Sequence, residues 1–183
     1  MQNSTNLGQV QIFYGNGKGK TTAALGTALR ACGNGYSVHL VQFMKNGARS
    51  LEEQIPGEII ALQKFPSFTF RRFGLGDWYM RGLNDQKHKD NVNETYQYLL
   101  SCIKKSYDIL IADEILYAVQ LGLLEENQVI ELIKNKSKDM ELILTGSHIP
   151  FPKIFELADL VTEIKKIKHP FDSGIIARKG IEY

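Results

Sequence analysis

The sequence predicts an α/β domain of three layers built on a mostly parallel central sheet. Three observations carry that expectation. Segments with strand and helix character alternate almost throughout. Residues 109–112 form a continuous apolar run, as a central parallel strand covered on both faces requires. The chain has 183 residues, room for one domain with a sizeable core and too little for two comfortable ones.

The elements follow in order. Residues 1–8 are polar, so a mobile N-terminal segment is expected ahead of a single domain over 9–183. Val10–Tyr14 reads as a short strand and residues 15–20 as a loop. Residues 21–32 read as a helix, with Leu25, Ala28, Leu29 and Cys32 at i, i+3, i+4 and i+7, and Gly33-Asn34-Gly35 supplies its stop. Residues 38–43 suit a second strand. Residues 44–83 are punctuated by Gly47, Pro56, Pro66, Gly74, Gly76 and Gly82, with candidate strands over 59–62 and 68–73. A longer helix is expected over 84–106, with Tyr96, Leu99, Leu100 and Ile103 inward. Beyond the apolar run at 109–112, residues 126–134 read as a helix with Val129, Leu132 and Ile133 inward. Residues 142–144 are another buried strand, Pro152 opens a short helix reaching Leu157, and 160–164 is the last strand.

Composition narrows the class. Apolar and charged fractions of 43% and 23% are those of a soluble globular protein. A net charge of +2 gives no case for nucleic acid or an acidic membrane surface. Cys32 and Cys102 sit among apolar residues and read as small buried hydrophobes. No basic-then-apolar leader opens the chain, and no apolar run approaches the roughly 18 residues of a membrane helix. The expectation is a cytoplasmic protein with reduced thiols.

The chemistry concentrates at strand ends, where ligands of open parallel sheets bind. The first strand runs into Gly15-Asn16-Gly17-Lys18-Gly19-Lys20-Thr21-Thr22. Glycines let backbone N–H groups turn inward around a phosphate. The following helix adds the positive end of its dipole. Lys20 supplies a mobile charge, Lys18 a second, and the Thr21 hydroxyl can ligate Mg²⁺. The strict P-loop pattern, G-x-x-x-x-G-K-[ST], would place glycine where Tyr14 stands, so the match is in kind rather than letter. Asp113 and Glu114 close the apolar run at 109–112, as a Walker B pair holding Mg²⁺ would, or as an acidic pair opening a helix. Asn135-Lys136-Ser137-Lys138-Asp139 is one residue too long for the guanine-reading Asn-Lys-x-Asp element.

The loop, the stretch Ala23-Ala24-Leu25-Gly26-Thr27-Ala28-Leu29-Arg30-Ala31, and Gly33-x-Gly35 together resemble ATP:corrinoid adenosyltransferases of the BtuR/CobO type. The resemblance continues through Val41-Gln42-Phe43-x-Lys45-Asn46-Gly47, Asp113-Glu114-Ile115, Leu144-Thr145-Gly146 and Glu156-Leu157-Ala158-Asp159-Leu160-Val161-Thr162-Glu163. Its most specific parts are Lys168-His169-Pro170-Phe171-Asp172-x-Gly174 and Lys179-Gly180-Ile181-Glu182-Tyr183. It implies a RecA-like P-loop NTPase fold and transfer of the 5′-deoxyadenosyl group of ATP to the Co(I) of a reduced corrinoid, cobalamin or a precursor, with triphosphate released. It further implies Mg²⁺, an external reductant for Co(II), a homodimer, and a nucleotide lying reversed in the loop so that C5′ is exposed. Family members displace the corrinoid's lower ligand with aromatic residues of a Gly-x-Gly-Phe-Thr-Trp segment. The counterpart here, Gly74-Leu75-Gly76-Asp77-Trp78, is one residue shorter and lacks the Phe. Trp78 matches, and Phe73 and Tyr79 are stand-ins for the missing ring.

His169, in a basic stretch, reads either as solvated or as a phosphate contact, and Arg30 as a surface charge at a helix end. Two other functions compete: a small-molecule kinase on the same loop, which needs a base and releases ADP, and a nucleic-acid-dependent ATPase, against which the near-neutral charge counts.

Overall fold

The computed structural model describes residues 7–45, 55–76 and 79–182. Six strands, β1 (Val10–Tyr14), β2 (Val38–Gln42), β3 (Phe68–Arg72), β4 (Ile109–Asp113), β5 (Glu141–Thr145) and β6 (Leu160–Glu163), form one sheet in the order β3-β2-β4-β5-β1-β6. Every pairing is parallel. The helices are α1 (Lys20–Gly33), α2 (Gly57–Leu62), α3 (Asp85–Cys102), α4 (Ile115–Gln120), α5 (Glu126–Asn135) and α6 (Pro152–Phe155). None of them is long and apolar enough to cross a membrane.

Side-chain alternation along the strands makes the three layers. Ile109 and Ile111 of β4 and Ile143 of β5 face a cluster with Ala24, Leu25 and Ala28 of α1 and Ile59 and Leu62 of α2. Leu110, Ala112, Leu142 and Leu144, one residue out of phase, face α3 through Val92, Tyr96 and Leu99, and α5 through Val129 and Leu132. Strands β2, β4 and β5 are buried at every residue. Central parallel strands must be apolar on both faces, and that made 109–112 legible. Cys32 and Cys102 are buried and unpaired, as expected.

Four expectations need correction. Leu29, read on one face of α1 with Leu25, Ala28 and Cys32, is 51% exposed, and the helix opened by Pro152 ends at Phe155 rather than Leu157. Residues 59–62 are not a strand but most of α2. Ile59 and Leu62, three apart, are buried, while Ile60 between them is 54% exposed. That is a helical face, entered after Pro56 with Glu58 in the first turn. The long helix also stops earlier than residue 106, at Cys102. Helix α4, directly after Glu114, has no signature in the sequence; it is fully apolar on its inner side and too short to show a period.

The strand register places the C-terminal ends of β1, β2, β3, β4 and β5 along one edge, with Gln42 opposite both Arg72 and Asp113. The chain leaves this edge in strained conformations. Met44, Glu114 and Ser147 have positive φ of 55°, 64° and 62°, just past β2, β4 and β5.

Candidate active site

The chain leaves β1 at Gly15, with φ 113°. Its N–H donates to the Ser147 carbonyl at 3.0 Å. A Cβ there would lie 2.3 Å from the Ile164 carbonyl oxygen, so only glycine passes. Gly17 donates to the same carbonyl at 2.8 Å. Gly19 precedes α1 with φ 121°, and nothing lies within 4 Å of where its Cβ would be. It leaves the mouth of the loop open. No side chain caps α1, so the first N–H groups of this 14-residue helix have no acceptor within it. The Lys20 ammonium folds back over the loop onto the carbonyls of Gly15 (2.6 Å) and Gly17 (3.0 Å). Burial lowers its pKa, and Glu114 partly offsets that. The result is an anion site made of an uncapped helix end and a half-buried ammonium, on a loop whose own Gly15 and Gly17 N–H groups are tied to the Ser147 and Ile164 carbonyls.

Asp113, at the end of β4, has no exposed surface. Its Oδ1 accepts from Thr21 Oγ1 at 2.9 Å and Thr145 Oγ1 at 2.6 Å, and its Oδ2 from Gln42 Nε2 at 2.9 Å. Burial raises its pKa, and the neighbouring Glu114 raises it further. Glu114 turns outward in the left-handed region, held by its own N–H on Thr145 Oγ1 at 3.0 Å. Its carboxylate pairs with Lys45 at 2.9 Å. Burial works to lower the Lys45 pKa, but Glu114 and Asp113 outweigh it, so the pKa is raised.

Does this set suit Mg²⁺? Thr21, Asp113 and Glu114 offer only hard oxygens, which it prefers. Gln42 Oε1 is buried beside them without a hydrogen-bond partner. Among the described residues no group of three or more His, Cys, Asp or Glu could hold a metal. An ion here would therefore complete its shell with phosphate and water, the usual habit of Mg²⁺. The residues fit.

The remaining expected residues divide. Asn16 Oδ1 accepts from the Lys166 N–H at 2.9 Å. Thr22 and Arg30 are exposed on α1. Lys18 reaches the C-terminal segment, 3.0 Å from the Ile181 carbonyl and 3.1 Å from Glu182. His169 accepts from the Phe171 N–H at 3.1 Å, starting a short 3₁₀ turn. Phe73 is 6% exposed, tilted against Tyr98 at 5.4 Å with the Arg71 guanidinium over its ring. In this conformation it offers no free face to a corrinoid. Trp78 lies outside the described residues.

Sequence reasoning gave no role to Gln42, Lys45, Arg178 or Glu182. The first two were detectable in principle, since Gln42 ends a buried strand as Asp113 does and Lys45 follows three residues later. The last two meet the loop only through the fold.

Sheet order, loop and buried carboxylate define the class: a P-loop nucleotide-binding protein with a RecA-like core. The fold is shared with the KaiC-like protein PH0186 of Pyrococcus horikoshii (TM-score 0.56, 18% identity, covering 88% of this chain and 75% of that one). It is also shared with the flagellar accessory protein FlaH of Methanocaldococcus jannaschii (TM-score 0.51, 13% identity, 86% and 71%). Residues 6–183 match the family described as ATP:corrinoid adenosyltransferase BtuR/CobO/CobP. The corrinoid adenosyltransferase of Escherichia coli K12 is 35% identical over 181 residues, 96% of this chain and 86% of that protein. The corrinoid adenosyltransferase CobA of Salmonella typhimurium is 34% identical over the same shares. The chain belongs to the ATP:corrinoid adenosyltransferase family and is a transferase that adenosylates corrinoids with ATP.

Proposed function

We propose that this protein transfers the 5′-deoxyadenosyl group of ATP to the Co(I) of a reduced corrinoid and releases inorganic triphosphate. The observation that carries the proposal is the loop itself. The Lys20 ammonium and the uncapped N-terminus of α1 lie at its mouth, which is open at Gly19, while the Gly15 and Gly17 N–H groups hold the loop's shape on the Ser147 and Ile164 carbonyls. That arrangement suits a leaving triphosphate as well as a transferable phosphate. Co(I) is the nucleophile: its electron pair forms the bond to C5′, the C5′–O bond breaks, and that electron pair departs on the triphosphate. The protein needs no nucleophile of its own. Its tasks are alignment and stabilising the charge that grows on the leaving group.

Lys20 and the first N–H groups of α1 take the second task, with Lys18 at the rim. Thr21, Asp113 and Glu114 hold Mg²⁺, which when bound supplies further neutralisation of the triphosphate. The nucleotide lies reversed, with C5′ facing the corrinoid. An external reductant supplies Co(I), and Trp78 covers the lower corrinoid face. Trp78→Ala should then impair turnover of Co(II)-corrinoid, with reductant supplied, far more than that of pre-reduced Co(I)-corrinoid; equal losses would remove that role.

The decisive assay incubates the protein with Mg-ATP, a corrinoid and a strong reductant and identifies both products. Adenosylated corrinoid with triphosphate is expected. ADP without a carbon–cobalt product would turn the reading toward a kinase.

A further inference from the structure

The rim of the loop is held by the chain's own C-terminal segment. Lys18 Nζ donates to Glu182 Oε1 at 3.1 Å and to the Ile181 carbonyl at 3.0 Å. Glu182 is itself gripped by Arg178. The Arg178 N–H and Nε donate to Oε2 at 2.7 and 3.2 Å, and Nη2 donates to Oε1 at 3.1 Å. One carboxylate oxygen is thus shared by an ammonium and a guanidinium, and the other meets a backbone N–H. That is how proteins bind a phosphate oxygen. Here the anion is supplied by residue 182 of the same chain, 164 positions from the lysine it meets.

The grip has a second anchor. Gly17 donates to the Ile164 carbonyl, and the Lys166 N–H donates to Asn16 Oδ1 at 2.9 Å. The loop and the start of the C-terminal segment therefore stay together whatever Lys18 does. The Lys18 contacts with Glu182 and the Ile181 carbonyl lie at the open rim, with the lysine side chain 44% exposed.

We infer that Glu182 is a positioning residue that competes with triphosphate for Lys18: an internal anion that lets go when the nucleotide binds and recaptures the lysine as triphosphate leaves. This rests on the reading of the loop as a triphosphate site. Triphosphate is multiply charged, and a cradle good enough to stabilise its formation retains it. A carboxylate that retakes one cation weakens the hold without touching the deeper contacts of Lys20. The carboxyl is held at about 2, chiefly by its hydrogen bonds from Arg178. The competitor is therefore charged at any working pH.

The test is calorimetric titration of inorganic triphosphate with Mg²⁺ into four proteins: wild type, Glu182→Gln, Lys18→Ala and the double variant. Position 182 is at the surface, so the Gln variant is expected to fold. Relative to wild type it should bind triphosphate about threefold tighter, the scale of one exposed ion pair. In the Lys18→Ala background the same change should have little effect. Equal affinity of wild type and Glu182→Gln overturns the competition and leaves the triphosphate site standing. A gain of the same size with and without Lys18 also overturns it, since that is general repulsion of an anion. No binding by wild type or variants removes the triphosphate site and the competition with it.

Discussion

The two ends of the sheet solve opposite problems. At the N-terminal ends, carboxylates receive the strands, and among the described residues the left-handed positions there, Gly8 and Gly35, are glycines. Asp159 accepts from the Val10 N–H at 2.8 Å, Glu141 from the N–H groups of Gly8 and Gln9 at 3.0 and 2.8 Å, and Asp108 from the N–H and hydroxyl of Ser37, both at 2.7 Å. Each charge meets donors that would otherwise be unsatisfied. At the C-terminal ends the chain accepts left-handed turns at Met44, Glu114 and Ser147, and buries Asp113 where its charge is disfavoured. One end is built for stability and the other stores strain at a site. Substitutions at the first should cost stability and spare activity, and substitutions at the second should do the reverse.

The largest effect belongs to Lys20. Lys20→Ala should lower the rate of adenosylcorrinoid formation by about 10²- to 10³-fold, the cost of removing one preorganised donor from a developing anion. Its melting temperature should move little, because the ammonium's partners, the Gly15 and Gly17 carbonyls, line an open loop. An unchanged rate would detach the loop from the chemistry.

Asp113→Asn sharpens the contrast. Activity should fall about 10- to 100-fold, as when a partner that orients a metal site is lost. Stability should hold or rise. The Asp113 pKa is raised in the fold, so the ionised form is disfavoured above it and a neutral amide escapes that penalty. The introduced amide oxygen can still accept from Thr21 and Thr145. Its nitrogen can meet Gln42 Oε1, which now lacks a partner, once the Gln42 amide turns over. Thermal melts decide it: a marked drop in melting temperature would mean the buried charge supports the fold. Asp108→Ala at the opposite end is the mirror experiment. It orphans two donors of Ser37 and should cost about 1–3 kcal/mol in urea unfolding, with the folded enzyme as active as before.

The stable end also carries a pH signature. His39 on β2 is buried, stacked on Tyr107 at 4.7 Å, with Nδ1 beside Thr69 Oγ1 at 2.7 Å and Nε2 beside the Tyr98 hydroxyl at 3.1 Å. Burial, with Lys105 adding, lowers its pKa from 6.5 to about 4. The unfolded chain therefore takes up the proton first. The stability that neutral His39 contributes is complete above about pH 6.5 and is lost as pH falls toward about 4. His39→Gln should flatten the dependence of the urea midpoint on pH in that window. An unchanged slope would show that other groups set it.

The same division explains what the sequence makes legible. Residues 109–112 and Gly15 to Thr22 declare themselves because burial on both faces and phosphate cradling each restrict residue type. Helix α2 is hidden because Glu58-Ile59-Ile60-Ala61-Leu62 is too short to separate a helical period from a β-rich run. The Lys18–Glu182 and Lys45–Glu114 contacts are invisible for another reason. They join segments far apart in the chain, and no local pattern encodes a distance across the sheet edge.

The smallest effect separates inner and rim cations. Lys18 and Glu182 are paired at the surface, with side-chain exposures of 44% and 19%, so salt should screen their contact. Lys20 lies deeper, on backbone carbonyls. Raising ionic strength from about 0.05 to 0.5 M shortens the Debye length to a few ångströms. Over that range the affinity advantage of Glu182→Gln for triphosphate should shrink toward nothing. The loss caused by Lys20→Ala should persist, because its ammonium would meet the triphosphate inside the cradle rather than across solvent. A Glu182 effect as large at high salt as at low would mean that the carboxylate acts from a closed site, and the rim would have to be counted with the interior.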